Sequence, residues 1–134
     1  MAILRILLAE DNRGDVLLIR EALKEHRIEY ELVVISDGAE AIQYIDGIGN
    51  GQGTACPDVL LLDLNLPKAD GFRVLEHFRN NPSCSGKPVV IVTSSDAPRD
   101  RESAMRFGAA RYFRKTSEID EFMQLGAVVK EAVG

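Results

Sequence analysis

The sequence predicts an α/β fold in which a doubly wound, five-stranded parallel sheet lies between two layers of helices. Two observations predict it. Five short runs rich in Leu, Ile and Val alternate along the chain with segments of helical periodicity. Most of these runs do not alternate apolar with polar residues, which is typical of strands covered on both faces. The length of 134 residues fits one domain, so we expect residues 1–134 to form a single unit.

The predicted strands are short and mostly apolar. We expect them at Ile3–Ala9, Glu31–Ser36, Val59–Asp63, Val89–Thr93 and Ala110–Arg114. Parallel strands joined by helices form right-handed crossovers, which place helices on both faces of the sheet. Such sheets bind ligands beyond the carboxyl ends of their strands. The residues at these ends are therefore the candidates for a functional site.

Helical periodicity marks the segments between the strands. The apolar residues at helical spacing are Ala41, Ile42, Ile45 and Ile48, then Val74, Leu75 and Phe78, and then Ile119, Phe122, Met123, Gly126 and Val129. Pro98 fits the first turn of a further helix that is capped by Ser95 or Asp96 and ends at Gly108. The glycine-rich segment 47–54 follows a helix and fits no phosphate-binding glycine motif, so we expect a flexible loop there.

Composition and charge exclude several classes of protein. The net charge of −5 argues against general nucleic-acid binding, and no apolar stretch approaches the roughly 20 residues of a membrane helix. The N-terminus has no basic leader and no cleavage site, so we expect a cytoplasmic protein. Residues 99–115 carry six basic and two acidic side chains, a local charge of +4. This segment is either a solvated face or a contact surface for a partner.

The two cysteines, Cys56 and Cys84, lie 28 residues apart and form no CxxC pair. A disulfide between them is left open, but reduced thiols are the favoured interpretation for a chain that is not exported. We therefore expect both cysteines to be reduced and to take no part in function.

Polar residues gather at the predicted strand ends. Glu10 and Asp11 follow the first strand, Asp63 ends the third, Thr93 ends the fourth and Lys115 follows the fifth. Carboxylates packed together repel each other, so we expect a cation among them, and Mg²⁺ suits oxygen ligands. A carboxylate beside such a metal can attack a phosphoryl group and form an aspartyl phosphate. Each residue alone also fits a helix cap or a strand end, but their joint position favours one site.

Four motifs occupy these strand ends: LLAEDN at 7–12, LLLDLNLPKADG at 60–71, VVIVTSS at 89–95 and GAARYFRK at 108–115. Together they resemble the receiver domains of two-component response regulators, which have a flavodoxin-like fold with strand order 2-1-3-4-5. The stretch AEDNRGDVLLIREAL also resembles single-domain regulators paired with phytochrome-type histidine kinases. The resemblance implies a phosphoacceptor domain without an output domain, served by a sensor histidine kinase, rather than an enzyme acting on external substrates.

The resemblance implies roles for the acidic residues. Asp63 is the phosphoacceptor. Glu10 and Asp11 are the acidic pair at the Mg²⁺ site, with Asp11 favoured as the direct ligand, and Asn65 offers its backbone carbonyl to the metal. We call Glu10, Asp11 and Asp63 the acidic site.

The resemblance also implies a switch. Thr93 would hydrogen-bond the phosphoryl group, Lys115 would pair with it, and Tyr112 would move into the space that Thr93 vacates. The face made by the fourth helix, fifth strand and fifth helix would then change shape and control a partner contact. The basic run at 99–114 is expected on that face near the acidic Asp120, Glu121 and Glu131, and this complementary charge would support a symmetric homodimer. Thr116 departs from the family, which usually has a proline after the lysine, often in a cis bond. Since a non-proline cis bond costs about 2.5–4 kcal/mol, we expect a trans bond and an altered loop.

Three alternatives remain beside this interpretation. A haloacid-dehalogenase-type phosphatase would have an aspartate as general acid where this chain has Asn65. A flavodoxin-like cofactor binder would need a phosphate-cradling loop after the first strand, where the acidic pair would repel a phosphate. A receiver-like module that is never phosphorylated is disfavoured by the complete set of site residues, but Thr116 keeps it open.

Overall fold

The predicted strands form one parallel sheet. The computed structural model describes residues 3–51 and 53–134. Its strands are β1 (Leu4–Ala9), β2 (Tyr30–Ile35), β3 (Val59–Leu62), β4 (Val89–Thr93) and β5 (Arg111–Arg114). Their order is β2-β1-β3-β4-β5, and every neighbouring pair is parallel. The predicted fold class and strand order are therefore confirmed.

Helices connect these strands in the described part of the chain. They are α1 (Arg13–Glu25), α2 (Gly38–Asp46), α3 (Gly71–Asn80), α4 (Pro98–Arg106), α5 (Ile119–Phe122) and α6 (Leu125–Val133). A short 3-10 turn at Pro82–Cys84 follows α3. Three helices begin with a side-chain cap that accepts a backbone N–H, namely α1, α2 and α3. These caps use Asn or Asp, the residues that most often fill this position.

The sheet separates two apolar cores. Leu7, Leu60 and Ile91 face the core formed with α2, α3 and α4. Leu8, Leu61 and Val92 face the core formed with α1, α5 and α6. Because helices cover both faces, β3 and β4 are buried at every residue, which explains why these strands show no alternation of apolar and polar residues.

Two predicted helix features differ from the structure. The apolar pattern from Ile119 to Val129 predicted one helix, whereas α5 and α6 are separated by Met123 and Gln124. Both separating residues keep right-handed helical backbone angles, so the apolar side chains stay on one face through the break. The cap of α4 is Ala97, which makes no side-chain cap hydrogen bond; the prediction of Ser95 or Asp96 is wrong.

A disulfide joins Cys56 and Cys84, so the expectation of two reduced thiols is wrong for this structure. Leu60 lies level with Val89 in the sheet, and each cysteine precedes one of these two neighbouring strands. Their Cα atoms are 5.6 Å apart, a usual separation for a disulfide. The pairing follows from strand order, which the spacing of the cysteines in the sequence does not show.

The segment 47–54 follows α2 and precedes β3 in the chain. Gly49, Gly51 and Gly53 have positive φ angles, which glycine adopts without steric cost, and residue 52 lies outside the described residues. Among residues 3–51 and 53–134, no helix has both the length and the apolar character needed to span a membrane.

Candidate functional site

The strand register brings the polar strand ends to one edge of the sheet. Ala9 lies level with Leu62, which in turn lies level with Ile91. Thr93 lies level with Arg114. The residues that follow β1, β3 and β5 therefore emerge side by side, because parallel strands end at the same edge.

Asp63 lies directly after β3 and is 5% exposed. Its Oδ1 accepts a hydrogen bond from the Asn65 N–H at 3.0 Å, and its Oδ2 accepts one from Lys115 Nζ at 2.9 Å. Burial alone would raise the pKa of the Asp63 carboxyl, but these two hydrogen bonds, with smaller contributions that include the Thr93 hydroxyl, hold it below its usual value. The carboxylate is therefore ionised at neutral pH.

The loop after β3 is packed closely under Asp63. Gly71 opens α3, and its N–H donates to the Leu64 carbonyl at 2.9 Å. A Cβ at Gly71 would lie 2.5 Å from the Asp63 carbonyl oxygen, closer than real Cβ contacts. Glycine is therefore required here to let the start of α3 approach the strand end.

Glu10 follows β1 and is 1% exposed. Its Oε2 accepts the Asn12 N–H at 3.1 Å. Its Oε1 lies 2.8 Å from Lys115 Nζ in an ion pair without directed hydrogen-bond geometry. Burial, with repulsion from Asp63, raises the pKa of Glu10 to about 7, against the lowering effect of Lys115.

The acidic site has the ligand set of a hard divalent cation. Glu10, Asp11 and Asp63 each offer one carboxylate oxygen, and these oxygens lie within 4.8 Å of one another. Glu10 Oε1 is buried and, among the described residues, meets only the Lys115 ammonium, without directed hydrogen-bond geometry. Asp11 is exposed, which leaves the site open to waters and phosphate oxygens, as Mg²⁺ sites usually are. The residues present therefore fit such a cation.

Lys115 is the cation at the centre of the site. Its Nζ lies 2.8 Å from Glu10, 2.7 Å from Asp15 and 2.9 Å from Asp63, and its side chain is 12% exposed. Burial alone would lower the pKa of the ammonium, but the three carboxylates, Asp15 foremost, raise it above its usual value. Lys115 is therefore charged at any physiological pH.

Asp15 lies at the site, although it was not among the predicted site residues. It lies in the first turn of α1, where its N–H donates to Asn12 Oδ1 at 2.9 Å. The available signal was an acidic residue one helical turn after Asp11, on the helix that starts at the site. First-turn carboxylates are common because they complement the helix dipole, so this signal alone did not distinguish a site residue.

The other predicted site residues line the same edge. Thr93 ends β4 and is fully buried, and its Oγ1 accepts the Ser95 N–H at 3.4 Å. Asn65 is exposed and contacts Asp63 through its backbone N–H. Tyr112 lies near the start of β5, farther from the acidic site than Lys115. Its hydroxyl donates to the Ser95 carbonyl at 3.0 Å. Its half-buried ring therefore reaches the loop after β4 rather than the acidic site.

The Lys115–Thr116 peptide bond is trans, as expected. Thr116 Oγ1 accepts the Glu118 N–H at 3.1 Å and donates to Glu121 at 3.2 Å. The backbone N–H of Lys115 donates to the Thr93 carbonyl at 2.7 Å. The loop is thus held by hydrogen bonds on both sides of the position where the family usually has proline.

Comparison with known proteins gives a family match over most of the chain. The family described as "Response regulator receiver domain" matches residues 6–126. The response regulator Rcp1 of Synechocystis sp. is 33% identical over 120 residues, which are 90% of this chain and 82% of that protein. The family match includes the four strand-end motifs.

Two solved structures share the fold and about a third of the sequence. The phosphorylated cyanobacterial phytochrome response regulator RcpA superimposes with a TM-score of 0.85 and 34% identity, covering 97% of this chain and 93% of that chain. The Mn²⁺-bound form of Rcp1 gives a TM-score of 0.82 and 31% identity, with 95% and 91% covered. The fold is therefore shared with proteins crystallised in phosphorylated and Mn²⁺-bound forms.

Proposed function

The chain belongs to the family of response regulator receiver domains, and from this premise we propose that Asp63 accepts the phosphoryl group of a sensor histidine kinase. Receiver domains are the phosphoacceptor domains of two-component signalling. The observation that carries the assignment to Asp63 is its position. It is a buried, ionised carboxylate at the end of a central strand, between the Lys115 ammonium and two further carboxylates.

In the proposed step, a carboxylate oxygen of Asp63 forms a bond to phosphorus. The bond between phosphorus and the imidazole nitrogen of the kinase's phosphohistidine breaks, and its electron pair stays on that nitrogen. The imidazole then takes up a proton from solvent. The lowered pKa of Asp63 supports this role, because a nucleophilic carboxylate must be ionised.

We propose Mg²⁺ as the cofactor, held by Asp11, Asp63 and the backbone carbonyl of Asn65, with Glu10 completing the acidic pair. When bound, the cation supplies charge neutralisation at the transferred phosphoryl group. The Mn²⁺-bound structure of Rcp1 supports a divalent cation, and the all-oxygen ligand set favours magnesium among them. Burial and repulsion from Asp63 raise the pKa of Glu10, and a bound cation would offset both effects.

Thr93 and Lys115 would receive the phosphoryl oxygens. Lys115 already lies 2.9 Å from Asp63 Oδ2, so its ammonium needs only a small movement to pair with a group added there. The Thr93 hydroxyl at the end of β4 would donate a hydrogen bond from the other side. Fixed donors of this kind stabilise charge where it develops.

Tyr112 would couple this event to the protein surface. Its hydroxyl holds the Ser95 carbonyl, and the Arg101 guanidinium lies 4.6 Å from the centre of its ring. A shift of Thr93 toward the phosphoryl group would release this loop and change the face formed by α4, β5 and α5. The effect is a population shift between two packings, which needs a few kcal/mol at most.

The proposed partners are a sensor histidine kinase of the phytochrome type and a second copy of the chain. The kinase type rests on RcpA, whose structure is that of a phytochrome response regulator. For the homodimer we propose the face of α4, β5 and α5, where α4 and β5 carry basic side chains and α5 carries the acidic Asp120 and Glu121. Complementary charges on one face suit a symmetric, self-complementary interface.

Intact-mass spectrometry after incubation with acetyl phosphate and Mg²⁺ tests the proposed function. We expect the protein to gain one phosphoryl group, and we expect Asp63→Ala or removal of the metal by a chelator to abolish the gain. The matched control is Asp46→Ala, which removes an exposed aspartate paired with His77 on another face. A phosphoryl group that persists in Asp63→Ala would exclude Asp63 as the acceptor.

Sedimentation velocity tests the homodimer. The protein is run with and without acetyl phosphate and Mg²⁺, and we expect the phosphorylated form to sediment as a dimer. A monomer under both conditions would end this part of the proposal.

Phosphotransfer from an autophosphorylated phytochrome-type kinase, compared with transfer from an unrelated histidine kinase, tests the kinase partner. Equal rates of transfer would remove the basis for the phytochrome assignment.

The phosphatase and cofactor-binding alternatives have no specific observation in their favour. The exposed Asn65 side chain is no proton donor for a leaving group, and the edge of the sheet at β1 is acidic. An assay with an aryl phosphate separates the phosphatase from the receiver, because a receiver should not turn over such an ester.

A further inference from the structure

The Lys115 ammonium is held by a carboxylate that belongs neither to the metal ligands nor to the phosphoacceptor. Asp15 Oδ2 lies 2.7 Å from Lys115 Nζ, the shortest of its three ion pairs. Among the described residues, Lys115 is the one cation paired with Asp15. Asp15 comes from α1, whereas Glu10 and Asp63 follow strands, so a separate element contributes this contact.

The backbone of Asp15 is held independently of Lys115. Its N–H donates to Asn12 Oδ1, and its side chain is 23% exposed. The helix start thus fixes the backbone that bears this short side chain, and the carboxylate in turn limits where the longer lysine side chain can go. A free lysine side chain has many rotamers, and an ion-pair partner on the helix removes part of that freedom before reaction.

The loop around Lys115 fixes its backbone but not its ammonium. The Lys115 N–H is bonded to the Thr93 carbonyl, and Thr116 organises the next turn. Beyond the backbone, the direction of the side chain depends on the three carboxylates. On the proposed function, Glu10 and Asp63 both change their partners when the cation and the phosphoryl group arrive, whereas Asp15 does not.

We propose that Asp15 is a positioning residue that holds the Lys115 ammonium beside Asp63 throughout phosphoryl transfer. This inference rests on the proposed function. It assigns to Asp15 an effect on the reaction through Lys115, with no contact to the phosphoryl group. Asp15 also adds a negative charge near an anionic donor, so a purely electrostatic effect would have the opposite sign, and the two are separable by experiment.

The test compares Asp15→Ala with Asp15→Asn, which keeps an acceptor oxygen and removes the charge. The rate of phosphorylation by acetyl phosphate with Mg²⁺ is measured by intact mass. We expect Asp15→Ala to slow it about tenfold, the effect of losing roughly one charge-assisted hydrogen bond, and Asp15→Asn to recover part of the rate. Both variants reacting as fast as the wild type, or faster, would overturn the proposal.

A double-mutant cycle with Lys115→Met shows whether Asp15 acts through the lysine. In the Lys115→Met protein, Asp15→Ala should no longer slow phosphorylation, because the ammonium that it positions is gone. The control Glu21→Ala removes another exposed carboxylate of α1 and should leave the rate unchanged. An equal slowing by Asp15→Ala with and without the ammonium would assign the effect to the helix rather than to positioning.

The same cycle in unfolding experiments without metal or phosphoryl donor gives an independent readout. The loss of stability in the double variant should be smaller than the sum of the two single losses, since both remove one ion pair. If the stability losses of Asp15→Ala and Lys115→Met were additive, the ion pair between Asp15 and Lys115 would be ruled out. A wild type that takes up no phosphoryl group would overturn the proposed function, whereas normal phosphorylation of Asp15→Ala would overturn only the role of Asp15.

Discussion

At the scale of single residues, Glu10 and Asp63 show how hydrogen bonds decide the ionisation of two similar carboxyls. Both are buried beside the same Lys115. The pKa of Asp63 falls because both of its oxygens accept directed hydrogen bonds. The pKa of Glu10 rises because burial, together with repulsion from Asp63, outweighs the lowering effect of Lys115. One site therefore holds an ionised carboxylate next to a second carboxyl whose ionisation is opposed by burial.

The raised pKa of Glu10 makes the metal-free protein sensitive to pH. The folded pKa of about 7 exceeds the ordinary value of 4.5, so the folded state binds the proton more tightly than the unfolded state. This contribution to stability is complete below pH 4.5 and is lost as pH rises through 7. We predict that Glu10→Gln, which cannot ionise, raises the free energy of unfolding at pH 8 by about 1–3 kcal/mol.

Chemical denaturation in the presence of a chelator measures this effect at pH 5 and pH 8. The gain should be small at pH 5, where Glu10 is protonated in the folded state. Glu21→Gln, on the exposed face of α1, is the control and should show no such pH dependence. A gain for Glu10→Gln that grows toward pH 5 would contradict the assigned cause.

At the scale of elements, the connection from β3 to α3 shapes the acidic site. The Gly38 N–H donates to the Pro67 carbonyl at 2.9 Å, and the Gly71 N–H donates to Leu64. Asp70 caps α3 by accepting the Arg73 N–H at 3.1 Å. The loop is thus tied to α2 on one side and closes into α3 on the other, which holds the backbone of Asp63 in place.

Gly71→Ala is predicted to damage this connection. The new Cβ would lie 2.5 Å from the Asp63 carbonyl oxygen and 2.6 Å from Leu64 Cα, and both are backbone atoms that move only with the loop. We expect a loss of about 1–3 kcal/mol in the free energy of unfolding. Phosphorylation by acetyl phosphate should also slow, because the loop positions Asp63.

Thermal and urea unfolding of Gly71→Ala measure the loss. Gly14→Ala is the matched control, since its Cβ would meet only the Asn12 side chain at 3.2 Å and alanine favours the helical backbone of α1. It should be neutral or stabilising. A Gly71→Ala protein as stable and as reactive as the wild type would show that the loop relaxes without cost.

At the scale of the whole molecule, the parallel sheet separates two specialised ends. The carboxyl ends of the strands carry the acidic site and Lys115. The opposite end carries the disulfide between Cys56 and Cys84, which links the segments that precede β3 and β4. The acidic site and the disulfide therefore lie at opposite ends of the same two central strands.

The disulfide is predicted to stabilise the fold. It closes a loop across 28 residues, for which chain-entropy arguments give about 3–4 kcal/mol. We expect a phosphine reductant to lower the free energy of unfolding by this order, while the rate of phosphorylation at the far end changes little.

Urea unfolding with and without reductant measures the change, and a thiol assay of the untreated protein counts free cysteines. The double variant Cys56→Ala, Cys84→Ala is the control and should not respond to reductant. Two free thiols in the untreated, air-exposed protein would contradict the disulfide.

The fold class was predictable from the sequence pattern, and the strand order and the family followed from the resemblance that the strand-end motifs carry. Local patterns carry this information: the fully apolar β3 and β4 show that both faces of the sheet are covered, and the motifs at the strand ends show which edge is polar. Glu10, Asp63 and Lys115 were identified because each directly follows a strand. The topology rule for parallel sheets then places them together without coordinates.

Only the tertiary structure decided the contacts between elements that no local pattern links. Asp15 reads in the sequence as an ordinary first-turn carboxylate, and its ion pair with Lys115 depends on how α1 lies over the sheet. The pairing of Cys56 with Cys84 depends on β3 and β4 being neighbours in register. Sequence periodicity reports which face of an element is buried, whereas distances of 2.7 Å between side chains follow from the packing of whole elements.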